Sequence, residues 1–183
     1  FAIIVVKCLF GGLGKNIVNP AIAARVFLLL TCASVAGGGQ PINPDVVSSA
    51  TPLAALNEGK NAAGIPTLLQ LFIGNHGGTI GETCAIALLI GYIYLVVRKV
   101  IKWYVPLTFV LTVFLCYLIA DGSCTFALSH VLAGGLLFGA IFMATDYVTT
   151  PISNLGKIIF CVGCGLITFA IRKYGSYPEG FYI

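Results

Sequence analysis

Most polar residues in this chain lie in breaks between long apolar runs. The runs at 83–97, 103–120, 126–145 and 157–171 predict membrane-spanning helices. None shows the ~10-residue alternating segments that a transmembrane barrel requires. The run at 21–36 predicts a further helix, short against the ~20 residues of a full span. Its Arg25 lies one turn in, where the side chain can reach back to the interface. Residues 65–73 form an apolar run about half a span long, which opens onto Gly74, Asn75, His76, Gly77 and Gly78. A half-helix running into a Gly-rich turn predicts a re-entrant segment, and 53–60 predicts a short helix. Both ends look cut: 1–10 reads as the end of a span whose start is missing, and 180–183 as a helix about to begin. The expected fold is an all-α membrane protein, a polytopic helical bundle with broken or re-entrant helices. It forms a single transmembrane domain over 1–183, read as part of a longer chain.

Composition agrees with this pattern. Hydrophobic residues make up 58% of the chain and charged residues 9%, against roughly 25% charge in soluble domains. Glycine, with 22 residues, suits helices whose backbones approach closely in lipid. No basic stretch precedes the apolar start, so no signal peptide is read. Cysteines stand at 8, 32, 84, 116, 124, 161 and 164. Their odd number and apolar setting argue against a disulfide framework. Cys161 and Cys164 have the spacing of a redox or metal pair, but inside an apolar helix they read as small packing residues. His130 reads as a helix-end residue bonded to backbone rather than a ligand.

Basic residues near helix ends set the cytoplasmic side. Placing Arg98, Lys99 and Lys102 inside and alternating the helices puts Lys15, Arg25 and Lys157 inside as well. Lys60, Arg172 and Lys173 then fall outside. In this orientation the polar segment 37–64 faces away from the cytoplasm.

Candidate chemistry lies in the breaks. The run Gly11, Gly12, Leu13, Gly14, Lys15, Asn16, Ile17, Val18, Asn19, Pro20, Ala21 is either a loop or a broken helix lining a pocket, with Asn16 and Asn19 three residues apart and so able to share a helical face. Asp45, Val46, Val47, Ser48, Ser49, Ala50, Thr51, Pro52 offers hydroxyls among small neighbours. Pro52 biases Thr51 toward an extended backbone, although Ser48 or Thr51 would also serve as a helix N-cap. Glu82 opens a helix and is either a cap or an intramembrane acid. Asp121 lies in the turn after 103–120. Asp146, amid Thr145, Thr149 and Thr150, can bind a cation, hydrogen-bond a cofactor or cap the segment after Pro151.

Five of these segments together resemble, in order, motifs of the RnfD/NqrB family of membrane redox-pump subunits. They are the Gly/Asn break ending at Ala21, the Asp45–Thr51 segment, Gly74, Asn75 through Gly81 and Glu82, Met143, Ala144, Thr145, Asp146 through Pro151, and Gly175 through Tyr177, Pro178, Glu179 and Gly180. The resemblance covers nearly the whole chain. It departs at Ser49, where family members often have Gly. It implies a urea-transporter-like fold and FMN joined by a phosphoester to Thr51, attached by an extracytoplasmic transferase. Asp45, Ser48, Ser49 and Ala50 would flank that site, with Asn16 and Asn19 near the cofactor and Glu82, Asp121 and Asp146 along an ion path or pocket. The short linker from the Gly-rich break to Thr51, and the ending, lean toward the Rnf side. That reading implies a flavin-carrying component of an ion-translocating ferredoxin:NAD+ oxidoreductase in a prokaryotic inner membrane, relaying single electrons coupled to Na+ or H+ movement. The other subunits of the complex, one of them also covalently flavinylated, would be its partners along with membrane lipid. NAD and ferredoxin would bind elsewhere, and no nucleic-acid partner is expected. An NqrB-like component of a Na+-translocating NADH:quinone reductase, with riboflavin or a second flavin, is the neighbouring alternative. A non-redox channel or transporter is the alternative from a different class, since broken helices and sparse intramembrane acids serve it equally.

Overall fold

The computed structural model describes residues 1–9, 18–31, 53, 56, 66–74, 76 and 83–175. Among the described residues the secondary structure is entirely helical. In chain order the helices are α1 (Ala2–Cys8, π-wound), α2 (Pro20–Thr31), α3 (Leu68–Ile73), α4 (Ala85–Val97), α5 (Tyr104–Asp121), α6 (Cys124–Leu132), α7 (Leu136–Met143, its second half π-wound) and α8 (Asn154–Tyr174).

Helices α5 and α8 organise the bundle. Lys102 Nζ and Tyr104 OH donate to Asn154 Oδ1 at 2.6 and 2.9 Å where both helices begin. Lys173 Nζ lies 3.3 Å from Asp121 Oδ1 where both end. The two helices therefore run parallel, and α6–α7 carries the chain back from one end to the other. Helix α5 buries Val105, Phe109, Val113 and Tyr117, a stripe at i, i+4, i+8 and i+12. Helix α8 answers with Cys161, Gly165, Thr168 and Arg172. Contact is tight at Gly165, where an added Cβ would stand 2.9 Å from Thr112 Cβ, so glycine lets the backbones meet there. The threonine hydroxyls at this interface bond within their own helices, Thr112 Oγ1 to Thr108 O and Thr168 Oγ1 to Cys164 O, while the buried Tyr117 OH has no hydrogen-bond partner. Both helices are long and apolar enough to cross a membrane.

The run at 126–145 is not one helix. α6 and α7 meet at 69°, and Gly134 between them has a left-handed backbone, φ +72°. Glycines 134 and 135 form the break. Helix α4 also falls short of expectation. Its 13 residues rise about 20 Å against a hydrocarbon core of ~30 Å. The described residues thus hold two full-length spans, or three if the bent α6–α7 pair counts as one, rather than the roughly five expected of the chain.

The expected half-helix is present as α3. A capping box starts it, with Gln70 N donating to Thr67 Oγ1 and Thr67 N to Gln70 Oε1. Gly74, φ +93°, ends it. An added Cβ at Gly74 would stand 3.0 Å from Cys84 Cα, so the chain is back against α3 by the start of α4. That return fits a re-entrant segment. Helix α2 packs on α1, where Phe1 and Phe27 stack at 4.2 Å.

Candidate functional site

Asp45, Ser48, Ser49, Ala50, Thr51, Asn16 and Glu82 lie outside the described residues. Of the polar segment 37–64, Leu53 and Leu56 are described. Both are helical and about 1% exposed, within the main core. Leu53 is pinned beside the α6–α7 break: an added Cβ on Gly134 would meet Leu53 Cδ2 at 3.3 Å and Arg172 Nη2 at 3.4 Å. The chain two residues beyond Thr51 is therefore anchored in the protein core, close to a guanidinium.

The structure brings together two of the predicted residues, Asn19 and Asp146. Asn19 Nδ2 donates to Asp146 Oδ2 at 3.4 Å across 127 positions of sequence. Asn19 Oδ1 accepts from Ala21 N at 3.0 Å, which starts α2. Asp146 also accepts from Thr149 Oγ1 at 3.2 Å and from Val148 N at 3.4 Å, an Asx turn. Thr150 Oγ1 donates to its backbone carbonyl at 2.6 Å. Asp146 does not cap α8; that role belongs to Ser153, whose Oγ accepts from Gly156 N. The three bonds to its carboxylate, at 3.2–3.4 Å, are long against the ~2.7–2.9 Å typical of well-made charge-assisted bonds. The carboxylate is thus held in place while keeping strong acceptor capacity for a ligand.

This pair stands between two cavities. One of about 700 Å³ separates α2 from α5, α7 and α8, with mostly apolar walls and Asn19, Thr149 and Thr168 as polar points. The other, about 420 Å³, holds Asn19 and Asp146 beside α4 and α7. An apolar space of several hundred Å³ with a few convergent polar groups is the usual form of a small-molecule site. A single carboxylate among neutral donors can hold a hard cation, take a proton or accept from an N–H on a ring.

Asp121 is not part of this cluster. It lies at the opposite end of the bundle, paired with Lys173. That end holds a group that the sequence left unflagged. Arg172, expected as an exposed charge closing its helix, is 1% exposed, and its Nη1 donates to His130 O at 2.7 Å. The His130 ring stacks on Tyr117 at 4.0 Å and meets Phe126 edge-on. His130 does sit in the last turn of its helix, but it is its carbonyl that is bonded, and Nδ1 has no hydrogen-bond partner. Cys161 is fully buried and Cys164 half-buried, both as free thiols. Among the described residues no three or more His, Cys, Asp or Glu converge as a metal site.

Residues 1–183 match the model of the NQR2, RnfD, RnfE family. Over 98% of its length the chain is 45% identical to the D subunit of the Na(+)-translocating ferredoxin:NAD(+) oxidoreductase complex of Acetobacterium woodii, covering 56% of that protein. It is 37% identical to the D subunit of the proton-translocating ferredoxin:NAD(+) oxidoreductase complex of Clostridium ljungdahlii, covering 58%. Against the D subunit of the ion-translocating oxidoreductase complex of Stutzerimonas stutzeri it is 36% identical, covering 60%. The chain thus spans somewhat more than half the length of these relatives.

Proposed function

The chain belongs to the NQR2, RnfD, RnfE family, and on that premise we propose that it is most of the flavin-carrying D subunit in an ion-translocating ferredoxin:NAD+ oxidoreductase of a prokaryotic inner membrane, with FMN on Thr51. The observation that carries this reading is similarity along 98% of the chain to the D subunits of two complexes whose names specify such a reaction. Bound through a phosphoester to the Thr51 hydroxyl, FMN would supply one-electron transfer between partner subunits. The fit is supported by Leu53, which ties the segment leaving Thr51 into the protein core.

Asp146 is the residue we assign to the moving ion. The two relatives are named for Na+ and for protons, and a carboxylate oxygen accepts either. Asn19 holds Oδ2 from the start of α2 and Thr149 from the loop before α8. A change in what Asp146 holds therefore alters how α2 sits against the bundle, a local device able to bias two arrangements.

The first test is mass spectrometry of the Thr51 peptide, with in-gel fluorescence of the denatured protein taken from its own membranes. The expected result is an FMN adduct on Thr51, lost in Thr51→Ala together with electron transfer. An unmodified Thr51 in cells that flavinylate other proteins, with electron transfer intact in Thr51→Ala, would move the assignment to a channel or transporter. Asp146→Asn is expected to keep the fluorescence and uncouple ion movement from electron transfer.

A further inference from the structure

We propose that the pocket between the end of α4, the start of α8 and the turn after α7 binds the phosphate of an anionic phospholipid headgroup. The pocket has a volume of about 140 Å³ and is lined by Lys99, Lys102 and Lys157, with Tyr147 and Thr150 also in its wall. At ~30 Å³ per water that is space for a phosphate group and a few waters. Lys99 and Lys102 are exposed and Lys157 half-buried, and among the described residues no carboxylate pairs with any of them. Asp146 lines the adjoining cavity rather than this one. Lys102 has one polar partner, Asn154 Oδ1 at 2.6 Å, and lies 6.0 Å over the Tyr104 ring, contacts that orient the ammonium while leaving its charge uncompensated.

Two further observations favour a lipid. Lys99 has φ +56°, alone among described non-glycine residues in the left-handed region, at the end of α4 where the backbone favours Gly. Placing a lysine at a strained point beside the pocket points to use of its side chain. The pocket also lies at interfacial depth. Trp103 and Tyr147 are 59% and 67% exposed beside it, Ile152 and Leu155 are exposed at the start of α8, and such aromatic residues mark the headgroup level of a bilayer. Several cations around a concavity at that level form a headgroup site, whereas a flat basic patch would only attract the surface.

The test uses the intact complex containing the full-length protein, purified in detergent and titrated with cardiolipin or with phosphatidylcholine, with bound lipid read by native mass spectrometry. Cardiolipin is expected to bind and phosphatidylcholine not. K99Q/K157Q is expected to weaken cardiolipin binding roughly tenfold or more, K99R/K157R to retain it, and the complex to stay assembled on a native gel. R98Q removes an exposed charge at the same end that does not line the pocket, and is expected to change nothing. The proposal fails if R98Q weakens binding as much as the pair does, because the site would then be a diffuse surface. Displacement of cardiolipin by millimolar inorganic phosphate would replace it with a free-anion site. Loss of a partner protein from K99Q/K157Q with lipid binding unchanged would replace it with an acidic protein surface. The readout needs no flavin, so its failure and that of the Thr51 assignment are separable.

Discussion

The two ends of the bundle solve the problem of charge in a membrane protein in opposite ways. At the α5–α8 C-terminal end, the Arg172 guanidinium is drawn into the core and committed to the His130 carbonyl under a Tyr117–His130 stack. At the other end, three lysines and Asp146 stand around open cavities, and the carboxylate is held only by long hydrogen bonds. Buried cations are costly unless satisfied, so the first end is built for a fixed shape. The second end keeps its charges available, which is what exchange with ions or lipid requires.

Arg172→Ala is the change that would break this contrast most severely. It strips the His130 carbonyl of its donor and leaves a hole in a closed region, with an expected cost of about 3–5 kcal/mol. It should appear as loss of assembled protein or a marked drop in the melting temperature of the complex. Its neighbour Lys173, paired with Asp121 at a half-exposed site, should lose at most ~1 kcal/mol when changed to Ala. Equal effects from the two would mean that Arg172 is not the structural charge. Gly134→Ala comes next. The left-handed backbone alone costs roughly 1–2 kcal/mol in any L-residue, and the new methyl meets Leu53 and Arg172 at 3.3 and 3.4 Å. A neutral outcome in thermal melting would show that the α6–α7 break does not need that conformation.

The helices of this chain were largely legible in its sequence, and the ways charge and glycine are used were not. The expected helices at 103–120 and 157–171 are Tyr104–Asp121 and Asn154–Tyr174, the second lengthened because Ser153 caps it. An apolar run that must satisfy its own backbone in lipid has few alternatives. Gly134 and Gly135 could not be resolved as face or break, because composition reports small size and not dihedral angle. Arg172 read as an interface charge because its burial depends on α6, which is not written into α8. Asn19 and Asp146 were each flagged by a motif, but their meeting across 127 residues is a property of packing alone. Position in the helix predicted a bonded His130, yet it is the carbonyl that bonds and not Nδ1.

That last point gives a sharper test of the closed end. If the His130 ring serves mainly as a stacking plate for Tyr117, His130→Phe keeps the plate and removes an unpaired buried nitrogen, and should fall within about 1 kcal/mol of the parent. His130→Ala should cost about 2–4 kcal/mol through the cavity and the lost stack. Similar losses from both, in melts of the complex, would assign the ring a polar role.

The open end should respond weakly in stability where it responds strongly in function. Asp146→Asn keeps one acceptor oxygen for Thr149 or Asn19 and should shift stability by no more than ~1 kcal/mol, since the bonds it replaces are long. Lys99→Gly goes further and reverses the sign. It relieves the left-handed backbone at φ +56°, so folding should gain about 1 kcal/mol, less whatever entropy the glycine adds to the unfolded chain. If Lys99→Gly instead lowers the melting temperature of the complex in detergent free of added lipid, the lysine is holding the fold together, and the division between a fixed end and an available end fails at its most exposed point.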